Sequence, residues 1–185
     1  RDDKPPSVRS TAEGMGSGET SGAVAGGKIY TTGNLAGGQA VICINAATGE
    51  VLWNSPLIDS VSRIGFPGTR CTPTVDGDRL YATATTGKIA CLRASDGKEL
   101  WSKDFSSEWK GKMMSGWGYT ESPLVDGDKL VCTPGGKNGT IAALDKKTGD
   151  VIWRSKGLTD SAAYSSIIVG EVGGMRMYIQ MTGSG

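Results

Sequence analysis

The 185-residue chain contains no histidine, and that absence excludes a good deal of chemistry. Neither a Ser-His-Asp nor a Cys-His nucleophile can be built. His-ligated zinc, a C-x-x-C-H haem attachment and a histidine proton shuttle go with them. Charge of either sign is not in excess, because 20 Lys and Arg face 19 Asp and Glu. With no run of five or six like charges, the chain lacks the basic stripe that nucleic acid or an anionic membrane surface would need. No window approaches the ~18–20 consecutive apolar residues of a membrane span. The N-terminal RDDKPPSVRSTAEGMGSGETSG has no signal-peptide apolar stretch either, so a mature or truncated start is expected. Residues 1–19 hold only Val8 and Met15 as large apolar side chains and read as a polar arm or linker. No C-x-x-C occurs among Cys43, Cys71, Cys91 and Cys132, which removes thioredoxin-like chemistry and zinc ribbons. Cys43, Cys91 and Cys132 sit inside the apolar runs VICI, IACL and LVCT and read as small buried hydrophobes.

What the chain has in abundance is glycine, 29 residues or about twice the usual ~7%, and internal repetition explains it. AVICINAATGEVLWNSPL, KIACLRASDGKELWSKDF and TIAALDKKTGDVIWRSKG align, placing Trp53, Trp101 and Trp153 at corresponding positions. The spacings, 101−53 = 48 and 153−101 = 52, fall in the range of propeller blades rather than helical arrays. A second element, CTPTVDGDRLYATAT and then ESPLVDGDKLVCTPG, precedes the last two tryptophans. TSGAVAGGKIYTTGN precedes Trp53, and YSSIIVGEVGGMRMYIQMTG follows Trp153. Each unit therefore holds two hairpins. Asp76-Gly77 and Asp126-Gly127 favour type I′ turns with positive φ at both central residues. Thr48-Gly49, Asp96-Gly97 and Thr148-Gly149 mark the second hairpins. In the second unit, strands are expected near 71–75, 78–85, 88–94 and 98–104. No segment shows sustained helical periodicity. The expectation is an all-β propeller of four-stranded blades at about 20–57, 71–105 and 121–156, with a half blade at 164–185. About three and a half blades fall short of the four to eight that close a ring. A longer propeller, or closure with a second chain, is therefore expected, and open edges would invite self-association.

NAATGEVLW, ASDGKELW and LDKKTGDVIW resemble the PQQ-like propeller repeat, the tryptophan-docking blade of the quinoprotein alcohol dehydrogenase-like superfamily. The second and third units are similar to bacterial PQQ-like repeat proteins of the BamB type. That resemblance implies export to the cell envelope and two functional readings, because one propeller hosts enzymes and scaffolds alike. The first is a non-catalytic scaffold that binds a protein partner and carries no cofactor. The alternative is part of a quinoprotein dehydrogenase oxidising alcohols or sugars. In the family that enzyme needs PQQ under a disulfide of adjacent cysteines, a tryptophan floor, a calcium held by acidic and amide ligands, and a carboxylate base. No adjacent cysteine pair and no acidic cluster stands out here.

The docking motif gives Trp53, Trp101 and Trp153 a structural role, each indole packing on the next blade with its N–H reaching a backbone carbonyl. The stretch SSEWKGKMMSGWGYTE at 106–121 breaks the repeat with two tryptophans, a tyrosine and two methionines, a composition suited to protein contacts. The connector before the second unit, IDSVSRIGFPGTR, adds Arg63, Phe66 and Arg70. The candidate partner-binding rim is Arg70, Trp117, Tyr119 and Glu121. PGGKNGT lacks the order of a phosphate loop. The DGD strings lack the spacing of an EF-hand.

Overall fold

A computed structural model describes residues 7, 8, 10–59 and 68–184. The connector residues Arg63 and Phe66 lie outside them. Three four-stranded antiparallel sheets follow one another in sequence order, and a two-stranded hairpin comes after. The first sheet is β1 (Ala23–Ala25), β2 (Lys28–Leu35), β3 (Gly38–Asn45) and β4 (Val51–Ile58); the second is β5 (Thr74–Asp76), β6 (Arg79–Thr83), β7 (Lys88–Arg93) and β8 (Glu99–Asp104). The third is β9 (Leu124–Asp126), β10 (Lys129–Cys132), β11 (Ala142–Asp145) and β12 (Val151–Arg154), and the hairpin is β13 (Ile168–Val172) with β14 (Met175–Ile179). This is the all-β arrangement of propeller blades that the repeat predicts.

Stacking sheet on sheet explains the sequence pattern. Middle strands such as β3 are buried on both faces, so they read as continuous apolar runs. The outer strand β4 alternates, as a half-exposed strand does. The core accordingly falls into layers between sheets. Val41, Cys43 and Leu57 meet Leu80, Ala90 and Leu92 at the first junction, and Tyr81, Ile89 and Cys91 meet Leu130 and Leu144 at the second. All four cysteines are buried and free. Burial pushes the Cys71 thiol up to about 12, so it stays protonated, and its Sγ accepts the Thr83 N–H at 3.2 Å.

A belt of hydrogen bonds ties the start of each inner strand to the next. The Ser21 N–H donates to Thr72 Oγ1 (3.2 Å), the Thr72 N–H to Ser122 Oγ (3.1 Å) and the Ser122 N–H to Ser166 Oγ (3.0 Å). The hydroxyls stand at corresponding repeat positions, so side chains of one sheet satisfy backbone donors of its neighbour.

One expectation needs revision. The first-hairpin turns of the second and third sheets centre on Gly77-Asp78 and Gly127-Asp128, with Asp76 opposite Arg79 and Asp126 opposite Lys129. Only the glycines there have positive φ (60° and 59°), which is the φ pattern of a type II′ turn and not type I′. Gly26-Gly27 and Gly173-Gly174 do have positive φ at both positions. The 106–121 stretch contains a short helix, α1 (Phe105–Trp109). Asp104 Oδ1 caps it by accepting the Ser107 N–H at 2.7 Å, and Lys110 at φ 54° ends it. One turn is too short to show a period, although Phe105 and Trp109 stack at 5.6 Å on its buried side. The backbone of residues 17–19 joins the sheets, while most side chains of residues 10–19 stay exposed. Ser17 exchanges both backbone hydrogen bonds with Asn34, and the Glu19 N–H donates to Thr69 O at 2.8 Å.

Candidate functional site

The inner strands begin side by side, and the residue four positions before each start faces a common cleft. Glu19, Arg70 and Thr120 occupy this position in the three sheets, spaced 70−19 = 51 and 120−70 = 50 residues apart. They line a cleft of about 410 Å³ with Ser122, Ser166, Trp117 and Tyr164. Arg70 Nη1 donates to Trp117 O at 2.7 Å, holding the guanidinium across the loop. Trp117 stacks on Tyr164 at 5.7 Å with 30° between planes. The tyrosine hydroxyl shares a hydrogen bond with Ser115 Oγ, which also accepts the Trp117 N–H at 3.3 Å. Trp117 is 51% exposed and Tyr164 38%, so the pair presents a flat apolar platform beside a cation, a carboxylate and hydroxyls. Thr120 Oγ1 is buried with no hydrogen-bond partner among the described residues.

The four candidate rim residues divide between two environments. Arg70 and Trp117 come together in the cleft. Tyr119 and Glu121 are only 4% and 2% exposed and do not offer side chains to a partner at this rim. The reason is alternation: residues 119 and 121 take the face opposite 120 as the chain enters the inner strand. Tyr119 packs edge-on to Phe105 at 5.2 Å, donates its hydroxyl to Pro134 O at 2.8 Å, and fills the space over Gly87. Burial raises its phenol well above the ordinary range. Glu121 lies between the third sheet and the last hairpin. Its carboxylate accepts from the Thr133 N–H and Oγ1, each at 2.6 Å, and at 3.5 Å from Gln180 Nε2. No cation pairs with it among the described residues, and burial pushes it up to about 7 against the pull of those hydrogen bonds. Glu19, Thr120, Ser122, Tyr164 and Ser166 complete the cleft without having been singled out by composition. The signal for the first two was their shared repeat position.

The repeated tryptophans lie at the junctions between sheets. A Cβ on Gly97 would sit 2.7 Å from the Trp53 ring, and one on Gly149 the same distance from Trp101. Only glycine therefore fits beneath the indoles, at φ 75° and 78°. Trp101 Nε1 donates to Lys146 O at 3.2 Å. Trp53 Nε1 is buried without a partner among the described residues. The corresponding carbonyl, Ala94 O, accepts the Tyr30 hydroxyl at 3.2 Å, just as Lys146 O accepts the Tyr81 hydroxyl at 3.0 Å alongside the Trp101 indole. Trp153 meets Tyr178 of the last hairpin at 5.8 Å.

A quinone seat of the family type does not fit these residues. Two adjacent cysteines would have to cover the ring, whereas the four here are separately buried in sheet cores. Among the described residues no three acidic or cysteine side chains converge to hold a metal.

The chain is similar to the outer membrane protein assembly factor BamB of Kangiella koreensis, with 31% identity over 75% of this chain and 32% of that protein. Its fold is similar to BamB from Moraxella catarrhalis, at TM-score 0.51 and 20% identity, covering 74% of this chain and 36% of that one. It is also similar to quinohemoprotein alcohol dehydrogenase from Comamonas testosteroni, at TM-score 0.60 and 24% identity, covering 79% and 22%. The chain thus spans about a third or less of these proteins. The profile of the family described as outer membrane protein assembly factor BamB matches residues 60–185, and the chain belongs to that family of PQQ-like β-propeller repeats.

Proposed function

We propose that this segment serves as a protein-binding scaffold in the assembly of outer-membrane proteins, on the extracytoplasmic side, with its partner seated on the Trp117–Tyr164 cleft. The observation that carries this reading is an aromatic pair left half-exposed beside Arg70, whereas the other described aromatic side chains are buried or part-buried. Exposed tryptophan, tyrosine and arginine on a rigid scaffold are the residues that dominate protein interfaces. Trp53, Trp101 and Trp153 serve as blade-docking residues that keep the scaffold rigid. No described helix is long and apolar enough to cross a membrane.

The test uses the full-length protein. Trp117→Ala with Tyr164→Ala should weaken recovery of the outer-membrane assembly partner at least tenfold while leaving the urea midpoint within a small margin. Unchanged recovery would overturn the reading. The dehydrogenase alternative predicts a quinone absorbance shift when the full-length protein is titrated with PQQ and calcium, together with dye-linked alcohol oxidation.

A further inference from the structure

The first two junctions between sheets repeat the same parts, and the third, made with the two-stranded hairpin, repeats their inner-strand half, so a substitution at one junction shows against the others. At the second junction Asp76, ending β5, meets Lys146 Nζ at 2.7 Å. At the third, Asp126, ending β9, takes Arg176 in a two-pronged pair at 2.6 and 2.8 Å and accepts the Tyr178 hydroxyl at 2.5 Å. The arginine holds the Asp126 carboxyl well below the usual range, with the tyrosine adding to it. A carboxylate is therefore the group this place in the fold receives. At the first junction the corresponding residues are Ala25 and Ala94, and neither charge is present. The space between them is a cleft of about 320 Å³ whose walls include Ala25, Gly26, Lys28, Val75, Gly77 and Arg93.

The charges on that wall match an incoming anion. Lys28 has no ion pair among the described residues, although its counterpart Arg79 reaches across the junction to Lys147 O at 3.3 Å. Arg93 meets Asp96 at 3.1 Å, but both side chains are at least two-fifths exposed, and such a pair is weak enough to exchange for a better-placed carboxylate. Asp78 borders the cleft with its side chain turned to solvent, 87% exposed and 3.9 Å from Arg79.

We propose that the cleft between the first and second sheets binds a carboxylate side chain from an acidic segment of a partner protein, in the place Asp76 and Asp126 fill at the following junctions. Ala25, Val75 and Tyr30 line an apolar floor for the aliphatic stem, which a free small anion would not use. The site lies at the opposite end of the inner strands from Trp117, so its test is separate from that of the aromatic cleft.

The test titrates the ¹⁵N-labelled chain with an acetylated, amidated Gly-Glu-Gly-Glu-Gly peptide, and in parallel with its Gln counterpart and with acetate. Saturable shifts should appear at the amides of Gly26, Lys28 and Gly77 with the Glu peptide alone. Lys28→Gln should weaken binding about tenfold. Ala25→Asp, which supplies the carboxylate from within, should weaken it further and leave the spectrum folded. The absence of saturable shifts, or affinity unchanged by Lys28→Gln, overturns the site. Acetate binding as tightly as the peptide overturns its assignment to a protein partner.

Discussion

Glu121 offers the sharpest physical test of the junction between the third sheet and the last hairpin. It is 2% exposed, and burial pushes its pKa from 4.5 up to about 7 although Thr133 and the Ile167 N–H hydrogen-bond to the carboxylate. The other titratable groups that sense it, Cys71, Tyr119 and Cys132, are themselves raised by burial and neutral below pH 8. The folded chain therefore keeps a proton that the unfolded chain releases near pH 4.5. That contribution is fully present below about 4.5 and is lost as pH rises through 7. A shift of this size corresponds to about 3 kcal/mol of stability lost between pH 4.5 and 8. The window is otherwise clear, because the chain has no histidine, and the lowered carboxyls of Asp126 and Glu99 lose their contribution only below the ordinary carboxylate range. Glu121→Gln removes the titration at the cost of one imperfect hydrogen bond, about 1 kcal/mol. The variant should match or fall slightly below the parent at pH 4.5 and exceed it by about 2 kcal/mol at pH 8. Urea unfolding followed by tryptophan fluorescence from pH 4.5 to 8.5 reads both. A parent with flat stability across that range, or a Gln variant with the same slope, would refute the reasoning.

Other expectations concern the junctions and the cleft. Gly97→Ala and Gly149→Ala put a Cβ 2.7 Å from an indole at positive φ, and each should cost about 2–4 kcal/mol in chemical denaturation. Gly77→Ala, also at positive φ but in open space, should cost only about 1–2 kcal/mol. Trp101→Phe gives up the bond to Lys146 O, so it should destabilise more than Trp53→Phe by about 1 kcal/mol; equal losses would show that the indole N–H carries nothing. Thr72→Val removes the acceptor of the Ser21 N–H and should lower stability by about 1 kcal/mol, with faster hydrogen exchange at Ser21 as the local readout.

Much of this fold is legible in the sequence, because the two hairpins of each unit carry their own turn chemistry. For the second unit the expected strands 78–85 and 88–94 enclose the observed β6 and β7, since β-branched and apolar runs between glycines leave little choice. The turn class was less accessible: whether Asp76 or Asp78 joins Gly77 at the centre depends on register, which the opposing strand sets. The cleft was legible only in part. Trp117 and Arg70 stood out by composition, but Glu121 and Tyr119 looked equally suited to a surface until alternation placed them inside. Their burial depends on Thr133, Pro134 and Gln180, between 12 and 59 residues away in sequence. The internal pairing of Asp126 with Arg176 was similarly hidden, because it joins two units across 50 residues.

The claim that this surface holds a protein partner is tested most directly by placing a photoreactive residue at position 117 of the full-length protein in cells, with one at Val151 on the outer strand β12 as control. The account predicts a cross-linked adduct with an outer-membrane assembly protein from position 117 and none from 151. No adduct at 117, together with PQQ binding by the same protein, would contradict it.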